Sequence, residues 1–276
     1  MCPPKTIAAM QDHSVCRRSF LKFGLGAIAT ATALSVEQVR AAPVHPTSFS
    51  NVMDLTHLLG PNFPLFPGFP PFRIDTLAAH QENGFYANQI TMAEHSGTHM
   101  DAPVHFAADG LYVDQIPPES LVVPAVVLDL SARAAQNPDT LVTPDDILAW
   151  EQRYGRVPDN AAILMFTNWQ ARVGSAETFL NTDSSGVLHF PGFGKDSIDF
   201  LLTERSIAGI GVDTLSLDHG PSTDFATHFT LLSSNRWGLE NLANLNLIPP
   251  SGATLFVGAP KVASGSGGSS RIMAVW

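Results

Sequence analysis

The residue pattern predicts a mixed α/β fold around a substantially buried sheet. Three apolar runs rich in Val, Ile and Leu carry that expectation: Leu121–Leu130, Ala161–Thr167 and Ile207–Asp213. They are continuous rather than alternating, as strands covered on both faces tend to be. Few stretches between them read as helices, so strands dominate and helices flank them. A chain of 276 residues is long enough for one large domain or two small ones. Hydrophobic residues make up 45% and charged residues 14%, the composition of a compact chain rather than a disordered one. A formal net charge of -10 supplies no basic footprint, which argues against nucleic acid as a partner.

Residues 1–41 read as an export signal and are left out of the fold. Arg17-Arg18-Ser19-Phe20-Leu21-Lys22 resembles a twin-arginine motif, and the apolar run Phe23–Leu34 follows it. That run is too short for a membrane span, which needs about 20 residues. Val39-Arg40-Ala41 places small residues at the two positions that a cleavage after Ala41 requires. The expectation is a periplasmic or extracellular protein, delivered by the twin-arginine machinery, whose mature part is 42–276. Cys2 and Cys16 both fall in the removed segment. The mature chain would then have no disulfide, no thiolate ligand and no catalytic Cys.

Taken in order, Asn51–Leu59 reads as a first strand. Gly60–Phe72 is a loop of five prolines and four phenylalanines. It is either a packed surface loop or a wall over an aromatic substrate. Arg73–Ala79 and Phe85–Ala93 are strands leading to His95, and Asp109-Gly110 is a turn. Leu121–Leu130 is a buried strand that Pro124 should interrupt. Thr143-Pro144-Asp145-Asp146 opens a helix running to about Tyr154, with Thr as N-cap, Pro at the first helical position and acids in the first turn. Ala161–Thr167 ends at Asn168, a residue that tolerates left-handed backbone. Lys195–Ser206 is a helix and Ile207–Asp213 a strand. Asp213 and Asp218 beyond it read as structural hydrogen-bonding groups. Ala253–Val257 and Arg271–Trp276 are strands, and the Gly/Ser stretch Ser264–Ser270 between them reads as a flexible connector.

The chemistry concentrates in His95-Ser96-Gly97-Thr98-His99-Met100-Asp101-Ala102-Pro103-Val104-His105. Three histidines and an aspartate occupy odd positions, so an extended backbone projects them to one side. Gly97 and Pro103 argue against one long helix. The expected local structure is a strand ending near Ala93, then a loop wrapping these side chains around a common point. Imidazole nitrogen with carboxylate oxygen suits Zn, Mn, Fe or Ni. No Gly-x-Ser-x-Gly elbow, dinucleotide fingerprint or Walker motif is present.

This stretch resembles the His-x-Gly-Thr-His-x-Asp-x-Pro-x-His signature of the cyclase family of metal-dependent hydrolases, which includes bacterial kynurenine formamidase and isatin hydrolase. Asp54-Leu55-Thr56, Gly211–Asp218 and Glu240-Asn241-Leu242 resemble further family elements, so the likeness spans about residues 51–276. Asn168 departs from the family's usual Gly, and Ser269-Ser270-Arg271 lacks its usual Pro. The resemblance implies a single domain with a β-rich, barrel-like core flanked by helices, commonly assembled as a homo-oligomer. It implies a hydrolase that cleaves an amide C–N bond, in a formamide or a cyclic amide, with metal-activated water. Carried over by position, His95, His99 and Asp101 hold one divalent ion, with Zn or Mn foremost. Asp101, His228 and Glu240 hold a second; a single ion with His228 and Glu240 outside its shell is the alternative. His105 becomes the general base, or else a further ligand. The competing function is a non-catalytic exported protein that binds a metal or ligand on the same scaffold, which would have no need of His105.

Overall fold

The computed structural model describes residues 48–276, and the export signal expected over residues 1–41 lies outside them. The described chain divides into two compact units. Thr76–Gln89 belongs to the first and holds most of a small hairpin. There, β2 (Arg73–Ala78) pairs with β3 (Ala87–Thr91) across a helical turn α1 (His80–Asn83), which ends at Gly84 with a φ of 75°.

The second unit, Phe49–Asp75 with Ile90–Trp276, contains every candidate site residue. Its strands are β1 (Val52–Asp54), β4 (His99–Asp101), β5 (Val122–Asp129), β6 (Leu141–Val142), β7 (Ala161–Phe166), β8 (Gly192–Phe193), β9 (Ile207–Val212), β10 (Trp237–Glu240), β11 (Ala253–Gly258), β12 (Gly267–Ser269) and β13 (Arg271–Val275). Nine of them form one sheet in the order β1-β13-β11-β5-β7-β9-β10-β4-β12. Neighbours from β5 to β10 run parallel and the outer pairs antiparallel. Only Ser270 separates β12 from β13, yet β12 closes one end of that order and β13 stands second from the other. A single residue cannot cross a flat sheet of this width, so the sheet curls back on itself. The result is the mixed α/β, barrel-like core that the pattern and the resemblance imply.

Successive side chains of a strand point to opposite faces. On one face, Val123, Ala125, Val127, Ala162, Leu164 and Leu239 pack into the barrel interior. On the other, Val126, Leu128, Ile163, Met165 and Ile210 meet α3 (Pro144–Tyr154) through Ile147 and Trp150, and α5 (Lys195–Glu204) through Ile198 and Leu201. The smaller α2 (Ser131–Gln136), α4 (Ala176–Leu180) and α6 (Ala226–Leu232) complete the helices of this unit. Burial on both faces explains why these strands read as unbroken apolar runs. Among the described residues, no helix is long and apolar enough to cross a membrane.

Inside the barrel, space is set by glycine. A Cβ on Gly209 would fall on the indole ring and carbonyl of Trp237. Backbone and a buried aromatic cannot both yield, so Gly209→Ala should destabilise the fold by about 3 kcal/mol, the upper end of ordinary overpacking. Gly174→Ala, where nothing lies within 4 Å, serves as the control. Equal thermal midpoints for the two variants would refute the packing argument.

Several expectations need correction. The first strand is only three residues long, because Leu55 turns inward and Thr56 makes an isolated bridge to Leu242. Pro124 does not interrupt β5. Parallel pairing with β7 starts one residue later, at Ala125, so the missing N–H leaves no gap in that ladder. The helix at Lys195 stops at Glu204. The segment Ser264–Ser270 is no flexible connector: it contains β12, which pairs with β4, and its glycines allow close backbone approach. The His95 stretch is not all loop either, since His99–Asp101 is itself a buried strand. By contrast, α3 begins as expected. Thr143 and Asp146 form a reciprocal cap in which the Thr143 N–H donates to Asp146 Oδ2 at 2.8 Å. Asn168 takes the left-handed conformation, with a φ of 61°.

Candidate metal centre

The curl brings β4 beside β10, with Glu240 directly opposite His99. Alternation along β4 sends Met100 into the barrel core, and His99 and Asp101 to the other side. The next turn, Pro103–His105, starts with a proline that fixes its φ and returns His105 towards them. His228 arrives from α6. The structure thus brings together all six residues singled out in the sequence.

Asp101 is the hub. Its Oδ1 lies 2.6 Å from His95 Nδ1 and 3.2 Å from His99 Nε2, and its Oδ2 lies 3.4 Å from His228 Nε2. Glu240 completes the ring, 3.3 Å from His99 Nε2 and 3.2 Å from His228 Nε2. Two of the imidazoles are oriented from behind. His99 Nδ1 faces the Gly97 carbonyl at 2.9 Å, made possible by a φ of 68° at Gly97. His228 Nδ1 is held by Asp218 Oδ2 at 2.6 Å, and the backbone N–H groups of Thr227 and His228 donate to the same carboxylate. His105 stacks on His95 with ring centroids 3.8 Å apart.

The electrostatics of this cluster call for a cation. Burial alone would push the His99 imidazole down, but the Asp101 and Glu240 carboxylates overcome it and raise it to about 10. His228 is likewise raised well above the usual histidine range: burial opposes this, and Asp101, Asp218 and Glu240 prevail. His99 Nε2 and Asp101 Oδ2 are buried with no hydrogen-bond partner. Unpaired polar atoms at full burial are costly, and a divalent ion among nitrogen and oxygen donors would satisfy both. His99, Asp101 and Glu240 offer ligand atoms within 4.8 Å of one another, and so do His95, Asp101 and His105.

The aspartates after β9 have separate roles. Asp213 is structural, as expected: it accepts from the Thr167 N–H, the Thr167 hydroxyl and the Trp169 N–H. Asp218 does more than close a strand end, because it fixes the ring of His228. The signal was present in the sequence as an acid ten residues before that histidine, but without the fold nothing linked the two. Replacing Asp218 with Asn should weaken metal affinity by about tenfold to a hundredfold, the usual cost of losing the partner behind a ligating imidazole. Titration calorimetry with Mn(II) would check this, and an unchanged affinity would remove Asp218 from the site.

Above the cluster lies a cavity of about 290 Å³. Pro64, Leu65, Phe66, Pro67 and Phe69 form one wall, so the Pro/Phe loop lines the cavity. Phe106, Leu215 and Phe225 supply more apolar surface. His57 stays outside this lining: its ring tilts against Phe63, with centroids 5.8 Å apart. Asn241, quoted in the sequence only as part of a motif, proves to face the cavity. Its Nδ2 donates to the Gly97 carbonyl at 2.9 Å, while its Oδ1 is buried without a partner.

Comparison with known proteins agrees with this geometry. Residues 53–219 match the cyclase family model, described as "Putative cyclase". An isatin hydrolase of Roseibium aggregatum is 36% identical over 242 residues, covering 81% of this chain and 91% of the relative. A kynurenine formamidase of Salinibacter ruber is 28% identical over 208 residues, covering 72% of this chain and 85% of the relative. The solved structure of isatin hydrolase A from Ralstonia solanacearum superposes with a TM-score of 0.78 at 38% identity, covering 82% of this chain and 91% of that one. With the family model matched over more than half its length and the curled sheet shared with a solved relative, the chain belongs to the cyclase family.

Proposed function

We propose that this protein is a metal-dependent hydrolase that cleaves the C–N bond of a small aromatic amide, either a formamide or a cyclic amide such as isatin. The observation that carries the proposal is the convergence of His99, His228, Asp101 and Glu240 beneath an aromatic-walled cavity, with His99 Nε2 and Asp101 Oδ2 buried and unpaired. The relatives named for isatin and kynurenine formamide chemistry support the reaction class.

His95, His99, Asp101, His228 and Glu240 would hold one or two divalent ions, with Zn or Mn as the first choices for this donor set. When bound, such an ion supplies Lewis acidity to the scissile carbonyl and to the attacking water. The chain's own groups do the rest. Phe66, Phe69 and Phe225 take the flat ring and exclude water around it. The free Oδ1 of Asn241 accepts the substrate's N–H and turns the amide towards the carboxylates. His105 is the general base. Burial pushes its imidazole down to about 4, with Asp101 opposing and His95 and His228 reinforcing, so the ring is neutral at pH 7. It takes a proton from the attacking water and returns it to the leaving nitrogen. The proposal includes export through the twin-arginine signal at residues 1–41 and assembly as a homo-oligomer.

Purified protein should turn over isatin and an aryl formamide, lose that activity to a chelator, and regain it with Mn(II) or Zn(II). No turnover on a broad panel of amides and lactones, with metal confirmed bound, would instead support a non-catalytic binding protein. For export, replacing Arg17 and Arg18 together with Lys should leave folded precursor in the cytoplasm. Unimpaired export of that variant would refute the twin-arginine reading.

A further inference from the structure

The structure assigns a positioning role to two residues outside the ligand set: Ser266 and Glu94 form a relay that keeps a proton on His95 Nε2, leaving Nδ1 free for the metal. This rests on the metal-site reading above. His95 faces polar groups on both ring nitrogens. Nδ1 lies 2.6 Å from Asp101 Oδ1, and Nε2 lies 2.9 Å from Ser266 Oγ. Ser266 Oγ lies 2.5 Å from Glu94 Oε2.

The direction of this chain follows from counting protons. An ionised carboxylate can only accept, so the single Ser266 hydroxyl proton is committed to Glu94. Ser266 Oγ can then only accept from His95, which requires a proton on Nε2. The pull from the other side runs the opposite way. Asp101 also only accepts, and at 2.6 Å it favours a proton on Nδ1. A neutral imidazole carries one proton and cannot serve both. Without the relay, Asp101 would draw that proton to Nδ1 and block the nitrogen that faces the ligand cluster.

The relay is built into the fold. The Ser266 N–H donates to the same Glu94 oxygen at 3.1 Å, and the Ser266 carbonyl accepts from Ala102 N–H at 2.9 Å. Gly265 and Gly267 flank the serine. A Cβ on Gly267 would lie 2.8 Å from His95 Cε1, and one on Gly265 would lie 3.0 Å from Glu94 Oε1. Gly267 thus lets the strand approach both the Met100 carbonyl and the His95 ring.

The test begins with metal-free protein labelled at histidine nitrogen, so that it needs no ion. At a pH where the nitrogen shifts show the His95 ring to be neutral, the spectrum should place the proton on Nε2. His95→Gln identifies the signal. Ser266→Ala keeps the backbone bonds of the loop but removes the hydroxyl. Glu94→Ala frees the hydroxyl to turn and donate to Nε2. In both variants the proton should move to Nδ1, and the Mn(II) dissociation constant should rise about tenfold to a hundredfold. The double variant should lose no more than either single one, since both cut the same chain. Ser266→Thr, which keeps a hydroxyl, should restore the Nε2 signal. Retention of the proton on Nε2 in Ser266→Ala, or additive losses in the double variant, would overturn the relay. A wild-type chain with the Nε2 proton that takes up no Mn(II) would instead sink the metal reading and leave the relay standing.

Discussion

Asp101→Asn should abolish metal uptake and lower kcat/KM by at least about a thousandfold, or about 4 kcal/mol of transition-state stabilisation. The substitution conserves volume, so the barrel should still fold, and the loss isolates charge from packing. Asp101 is the one carboxylate in contact with His95, His99 and His228 together. Burial works to raise its pKa, but the three imidazoles around it, His228 foremost, hold it well below the usual carboxylate range. Asparagine offers one neutral oxygen and turns two N–H donors towards nitrogens that must present lone pairs. Stability should separate the states. The depressed Asp101 pKa means that its charge stabilises the metal-free fold at neutral pH, in spite of the repulsion with Glu240. The metal-free Asn protein should therefore melt somewhat below metal-free wild type, and only wild type should gain stability on adding Mn(II). An Asn variant that kept the wild-type metal content and the same metal-induced rise in Tm would show that the ion binds elsewhere.

Much of this was legible in the sequence because the informative residues are close in the chain or periodic. His95, His99, Asp101 and His105 fall within eleven residues, and strand alternation by itself puts His99 and Asp101 on one face. Thr143, Pro144 and Asp146 mark their helix start by local capping chemistry alone. The barrel's buried runs betray themselves by continuity. What escaped depends on contacts between distant segments. Ser266 lies 171 positions from His95, and nothing local distinguishes it from a serine in a linker. The sheet curl that joins them hinges on Ser270, another unremarkable residue in a Gly/Ser stretch. Asn241 appears in a motif, but its unpaired Oδ1 becomes visible only once Nδ2 is seen to be committed to Gly97. Composition suggested flexibility where the fold uses small residues for close approach, and that conflict marks the neighbourhood of the site.

His105→Gln should separate catalysis from metal binding. His105 is one of four imidazoles near Asp101, and they differ in how they are held. Asp218 fixes His228, and the Gly97 carbonyl fixes His99. His105 stacks on His95 and sits edge-on to Phe106, with centroids 4.8 Å apart. Those contacts set the ring plane and leave its nitrogens for exchange with substrate and water. Burial holds the imidazole low, so it is unprotonated when substrate arrives. Asp101 and Glu240 offset that burial only in part, and His95 and His228 add to it. A ring that is neutral before the step and set by stacking can turn a nitrogen to a proton, whereas a ligand would be fixed from the start. The variant should keep most of its metal, show nearly unchanged KM where KM reports binding, and lose about a hundredfold to ten-thousandfold in kcat. The fall should be largest for substrates with the poorest leaving nitrogen, because those depend most on the returned proton. Metal analysis of the same preparation decides the assignment: if His105→Gln loses its ion as completely as Asp101→Asn, then His105 is a ligand and the proton must be handled by another group.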